Sequence, residues 1–210
     1  MTGKHSLGLG RFVVIEGIDG AGTTTQTTRL AAELTERGRT VVATREPSDG
    51  VVGELIRRIL SRSVTIKGEL NAQTLCLLFA ADRVDHLQRV ILPALRLGAI
   101  VLSDRYLLSS LAYQGIDVPI RWVAEVNRYA VTPDLTLFIE IDPLTASRRR
   151  AGRANPAELF EDDALQEQFA RAYLEAISMR EAAERIVRLT GHDSVEKITA
   201  LAMEQICNIL

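Results

Sequence analysis

The sequence predicts an α/β fold, a doubly wound, five-stranded parallel sheet with helices on both faces. Three observations carry this expectation: five short β-rich apolar runs, longer helical patterns between them, and a glycine-rich turn directly after the first run. The runs are RFVVIE at 11–16, TVVAT at 40–44, AIVLS at 99–103, LTLFIEI at 135–141 and RIVRL at 185–189. The segments between them, at 23–37, 51–60, 69–97, 119–131 and 143–183, are long enough to cross over the sheet as helices, and 194–210 closes the chain as another. Gly38 and Gly98 follow two of these helices as C-terminal caps, and Asp142-Pro143 supplies an N-cap acid and a first-turn proline.

No internal repeat, long linker or low-complexity block divides the chain, so a single domain over 1–210 is expected. A flexible leader at 1–10 and a mobile flap at about 148–162 are expected as well, the flap because polar residues interrupt a helical pattern there. A net charge of -2 gives no overall attraction to nucleic acid or anionic membrane, so neither is an expected partner and any anion site must be built locally. MTGKHSLGLG at 1–10 lacks the apolar core of a signal peptide, and no run approaches the ~20 apolar residues of a membrane span. The expected location is therefore cytoplasmic. Cys76 and Cys207 lie in apolar, helix-like sequence without paired spacing and read as buried free thiols. His5, His86 and His192 are scattered and receive no catalytic role, while Trp122 and Tyr129 read as packing.

In an open parallel sheet, ligands bind outside the carboxyl ends of the strands. The first strand runs into GIDGAGTTT, the second into TREP at 44–47 and the third into SDRY at 103–106, which brings Asp19, Arg45, Glu46, Asp104 and Arg105 to one crevice. The loop of Gly17, Ile18, Asp19, Gly20, Ala21, Gly22, Thr23, Thr24 and Thr25 has the outline of the phosphate cradle G-x-x-x-x-G-K-[ST]. Glycines let backbone N–H groups turn around phosphate oxygens, the following helix presents its N-terminus, and Thr24 keeps the hydroxyl suited to Mg2+. Thr23 stands where the lysine is expected. Without a replacement cation, the loss of a positive charge aimed at the β/γ-phosphates costs about 3 kcal/mol, a hundred- to a thousandfold in rate. Of 25 basic residues only Lys4, Lys67 and Lys197 are lysine, but a drift from Lys to Arg would have left arginine at 23, so composition does not account for the threonine.

Asp104 and Arg105 pair an acid suited to a metal with an arginine suited to bidentate phosphate recognition. Phe79 and Arg83, four apart in LLFAADR, share a helix face on which a ring can stack on a nucleobase and a guanidinium can meet its edge. Read alone, Phe79 is more often core, Arg45 and Glu46 can be an exposed loop pair, and a charge run such as Arg148, Arg149, Arg150 and Arg153 is usually a solvated face. At a site short of a cation, those arginines can also supply one.

The blocks IEGIDGAG, TREP, LLFAADR, SDRY followed by AYQG, and PDLTLFIEID run in this order from about Arg11 toward the C-terminus. Together they resemble the thymidylate kinase family, P-loop nucleoside monophosphate kinases that move the γ-phosphate of ATP to dTMP. The resemblance implies that Asp19 lies near the acceptor's sugar, that Arg45 steadies the acceptor phosphate, and that Glu46 belongs to the same acceptor loop. It makes Phe79 the thymine stacker, Arg83 its polar partner, Arg105 a phosphate-binding arginine and Asp104 an acid near magnesium. Ser109, Ser110, Tyr113 and Gln114 fall where the family lines base and deoxyribose, Tyr113 as the barrier to a 2'-hydroxyl. Mg2+ with ATP as co-substrate, and a homodimer, are implied as well. Gly20 in place of arginine resembles the bacterial type, whose basic flap furnishes the catalytic cation, and this points to Arg149 and Arg153. Three stretches depart from the family's pattern: Thr23; Ser48-Asp49, where glycines are common; and Leu159 in ELFE, where the flap often has an Asp-Arg pair. Two other readings stay open on the sequence, a nucleotide-binding homologue without catalysis and a kinase for another deoxynucleotide or deoxynucleoside.

Overall fold

The computed structural model describes residues 10–151 and 163–210. Its strands are β1 (Arg11–Glu16), β2 (Val41–Arg45), β3 (Ile100–Asp104), β4 (Leu135–Glu140) and β5 (Ile186–Thr190). They pair in the order β2-β3-β1-β4-β5, each neighbour parallel to the next. Every expected strand is present, with β2, β3 and β5 shifted one residue toward the C-terminus. β1, β3 and β4 are buried nearly throughout because helices cover both faces, whereas the edge strands β2 and β5 are partly open. The chain leaves β1 toward β3 and β2 on one side and returns as β4 and β5 on the other, so the crevice of a doubly wound sheet opens at the carboxyl ends beside β1.

The helices are α1 (Thr23–Glu36), α2 (Val51–Leu60), α3 (Asn71–His86), α4 (Leu92–Arg96), α5 (Leu107–Tyr113), α6 (Ile120–Val126), α7 (Pro143–Ala151), α8 (Asp163–Arg180) and α9 (Val195–Cys207). The helix expected over 69–97 is interrupted by a π turn, Leu87–Ile91. Pro93 lacks an N–H and its ring clashes with the carbonyl four residues back, so a wider turn just ahead of it relieves both problems. The expected caps are in place: Gly38 N–H donates to Thr35, Gly98 N–H to Leu95, and Asp142 Oδ1 accepts from the Thr145 N–H at 2.9 Å. The segment expected at 143–183 contains two helices, and α7 reaches Ala151, so 148–151 are helical where the flap was expected to begin. The leader at 1–9 and the remainder of the flap, including Arg153 and ELFE, lie outside the described residues.

Two packing expectations fail. Cys76 is buried, but Cys207 is exposed, since it ends α9 where Met203 and Ile206 take the core-facing positions. Trp122 packs against the core, but Tyr129 is 68% exposed in the turn after α6, with the Arg128 guanidinium over its ring. Among the described residues no helix is long and apolar enough to cross a membrane.

Candidate active site

The loop between β1 and α1 is built to present backbone. Ile18, Ala21 and Thr23 have buried side chains, so main-chain groups are what these positions can offer an anion. Gly22, with φ 98°, turns the chain into α1, whose first residues are Thr23, Thr24 and Thr25. Thr24 and Thr25 are exposed at that helix start, where the helix dipole favours negative charge. The Thr24 hydroxyl donates to Asp104 Oδ2 at 2.5 Å, while the buried Asp104 Oδ1 has no partner among the described residues. Helix α7 lies directly on this loop: a Cβ added to Gly20, whose φ is 95°, would sit 2.4 Å from the Ala146 carbonyl oxygen. One turn further along α7, Arg150 is 9% exposed and its Nη1 donates to the Asp19 carbonyl at 2.6 Å.

Beside the loop a cleft of about 590 Å³ is lined by Asp19, Glu46, Phe79, Arg83, Arg105, Ser109, Ser110, Tyr113 and Gln114, among others. A larger, mainly apolar cavity adjoins it and shares Tyr113 and Gln114 as a wall. Arg83 is buried in the floor of the cleft. Its Nη2 donates to Glu46 Oε2 at 2.7 Å, to the Tyr106 carbonyl at 2.9 Å and to Ser110 Oγ at 3.0 Å, and its Nη1 donates to Asn127. The other oxygen of Glu46 meets His86 Nδ1 at 3.2 Å, and His86 Nε2 meets the Thr44 hydroxyl at 2.7 Å. Glu46 is thus fixed on both oxygens, which orients the guanidinium above it. Two buried atoms of the cleft have no partner among the described residues: Arg83 Nε, a donor, and Gln114 Oε1, an acceptor.

Arg105 joins loop and cleft. Its Nη2 donates to Asp19 Oδ1 at 2.5 Å and its Nη1 to the Gly17 carbonyl at 2.8 Å, to Tyr173 at 3.1 Å and to Ser109 at 3.3 Å. Its φ is 70°, a conformation that costs a non-glycine residue on the order of 1 kcal/mol or more and that clusters at functional sites. Behind it lies Glu16, the last residue of β1 and fully buried. Burial pushes its carboxyl above the ordinary value, partly offset by the Ser109 hydroxyl and the Arg105 charge.

The thymidylate kinase family profile matches residues 15–201. The chain is 37% identical to a probable thymidylate kinase of Pyrococcus abyssi over 203 residues, covering 95% of this chain and 99% of that one. It is 41% identical to a thymidylate kinase of Pelotomaculum thermopropionicum over 197 residues, 91% and 90% of the two chains, and 36% identical to one of Nitrosomonas eutropha over 206 residues, 93% and 91%. The chain belongs to the thymidylate kinase family.

Most residues expected for a thymidylate kinase do come together in the cleft and the loop. Two described arginines do not. Arg45 is held on the surface by Asp49, 2.8 Å away, with a side chain 57% exposed. That acid occupies one of the positions where glycine is common, and its carboxyl is lowered by the hydrogen bond from Arg45. Arg149 turns toward the β5–α9 connection and donates to the Gly191 carbonyl at 2.8 Å; the arginine that reaches the loop is its neighbour Arg150. Ser48 has a structural use: its N–H and hydroxyl donate to the buried Asp82 at 2.7 and 2.6 Å, so a serine here closes a bond that glycine cannot. Sequence reasoning missed Glu16, His86, Asp82 and Tyr173. A carboxylate at the end of an apolar strand was the one local signal available, at Glu16.

Proposed function

We propose that this chain transfers the γ-phosphoryl group of ATP to dTMP, giving ADP and dTDP. The observation that carries the acceptor is the pair of buried, partnerless atoms in the cleft, Arg83 Nε and Gln114 Oε1. A donor and an acceptor complement the 4-carbonyl and N3–H of thymine, whereas cytosine has an amino group and a bare nitrogen at those positions and would leave both protein atoms unsatisfied. Phe79, half-buried in the same wall, offers its ring for stacking.

In the transfer, an oxygen of the acceptor's 5'-phosphate forms a bond to the γ-phosphorus as the bond from that phosphorus to the β,γ-bridging oxygen breaks. The protein contributes position and charge. Arg105, bonded to Asp19 Oδ1 and the Gly17 carbonyl of the loop, holds the acceptor phosphate; the loop backbone and the start of α1 hold the donor phosphates. Thr24 and Asp104 fit a Mg2+ carried by ATP, since the hydroxyl and the partnerless Oδ1 are the hard oxygen donors such an ion takes. No cluster of three ligating side chains occurs among the described residues, so phosphates and water would complete its shell. Bound there, the ion would screen the charge between the two phosphate groups. The positive charge absent at Thr23 is assigned to Arg150.

A cytoplasmic location, a single domain and a homodimer belong to the same reading. Val51, Leu55, Leu70 and Leu77, exposed on and beside α2 and α3, are the apolar surface a second copy would cover. Chromatographic detection of ADP and dTDP from ATP and dTMP tests the reaction, with dUMP, dCMP and thymidine as competitors. Folded protein that makes no dTDP above a protein-free blank would refute it, and dCMP competing as well as dTMP would refute the base assignment.

A further inference from the structure

Tyr173 on α8 and Glu16 at the end of β1 are fully buried at the centre of the site, and neither has a role in the proposed reaction. The Tyr173 hydroxyl lies 3.1 Å from Arg105 Nη1, 3.0 Å from the Gly17 carbonyl, 2.8 Å from Ser109 Oγ and 3.2 Å from Glu16 Oε2. A phenol has one proton and two lone pairs, so four polar neighbours exceed what burial of a tyrosine requires. The Gly17 carbonyl only accepts and Arg105 only donates; the tyrosine oxygen can serve both. Ser109 completes the ring by donating its hydroxyl to Glu16 Oε2 at 2.5 Å.

The same carboxylate sets the backbone around the arginine. Glu16 Oε1 accepts the N–H of Tyr106 at 2.9 Å and of Ser109 at 3.2 Å, capping a helix whose own N-cap residue, Tyr106, makes no side-chain cap bond. Arg105, immediately before that cap, is held at its positive φ by its N–H to the Ile15 carbonyl and by the Ser103 hydroxyl to its own carbonyl. Backbone and side chain of Arg105 are therefore both tied to one buried cluster.

We propose that Tyr173, backed by Glu16, is a positioning residue that aims the Arg105 guanidinium at the phosphate of a nucleoside monophosphate acceptor. The inference rests on the assignment of Arg105 to that phosphate. Tyr173→Phe is the test, because it keeps the ring contacts to Phe138 and Tyr113 and removes only the oxygen. Calorimetry with dTMP and with thymidine, together with KM for each substrate, separates aim from mere stability. Affinity for dTMP should fall roughly five- to tenfold, the worth of one hydrogen bond, while affinity for thymidine and KM for ATP stay within about twofold. In an Arg105→Ala background the same substitution should change dTMP affinity no further. Equal losses for dTMP and thymidine, an unchanged dTMP affinity, or a full effect in the Arg105→Ala background would overturn the proposal. If Tyr173→Phe does not fold, Glu16→Gln is read with the same ligands and the same outcomes. A wild-type chain that binds dTMP but phosphorylates nothing rejects the proposed function while the binding measurements still decide this inference; one that does not bind dTMP overturns both.

Discussion

Replacing Arg150 with alanine locates the charge that position 23 lacks. The guanidinium is 9% exposed and donates to the Asp19 carbonyl at 2.6 Å, on the loop where Thr23 replaces the usual lysine. In the ground state a hydrogen bond from a charged donor is worth about 1.5–3 kcal/mol. During transfer, a cation beside the loop also faces the charge developing on the bridging oxygen, and removing one such fixed partner costs about 3–4 kcal/mol. Turnover should therefore fall roughly a hundred- to a thousandfold, with KM for dTMP within about threefold of wild type. Initial rates measured by coupling ADP release to NADH oxidation, with each substrate varied in turn, give both quantities. Thr23→Lys in the Arg150→Ala background should recover at least about tenfold of the loss, because a lysine there restores a charge to the same phosphates. A fall of less than about threefold, with no recovery, would refute the reasoning.

Glu46→Gln leaves Arg83 buried without its counter-charge, so stability by urea denaturation should drop by about 3–5 kcal/mol; a loss under about 1 kcal/mol would contradict the buried pair. For Glu16, whose folded carboxyl lies above the ordinary 4.5, the unfolded chain releases the proton first, and stability falls as pH rises from 4.5 through the raised value. Glu16→Gln has no such proton, so the stability advantage of wild type over the variant should shrink across that window, and a widening gap would show the sign to be wrong. Of the two cysteines, exposed Cys207 should react with a thiol reagent at pH 8, while Cys76, buried and pushed up to about 11, should react only on unfolding; two fast equivalents in the native state would count against this.

The strands, the glycine-rich loop between β1 and α1 and the family's motifs were legible because each is written in neighbouring residues: an apolar run, a glycine spacing, a four-residue interval. What stayed hidden is joined across the chain. Tyr173 bonds to Glu16 at a separation of 157 residues, and His86 reaches Glu46 across 40; no local pattern marks either. Helix α5 was missed because the carboxylate that caps it comes from β1, so the cap is absent from its own sequence. Arg149 and Arg150 differ by about 100° around one helix, and only the seating of α7 on the loop decides which of them reaches that loop.

That seating has an evolutionary side. With the Ala146 carbonyl where a Cβ at position 20 would go, a side chain in the loop and a helix at this distance exclude one another. A chain with an arginine at this loop position must carry its α7 farther out, and the residue at the Arg150 position moves with it. Exchanging only the loop between relatives of the two kinds would leave either a collision or a gap. Loop and helix have to be exchanged together, and they should change together along lineages, because the clearance for one atom couples the two segments.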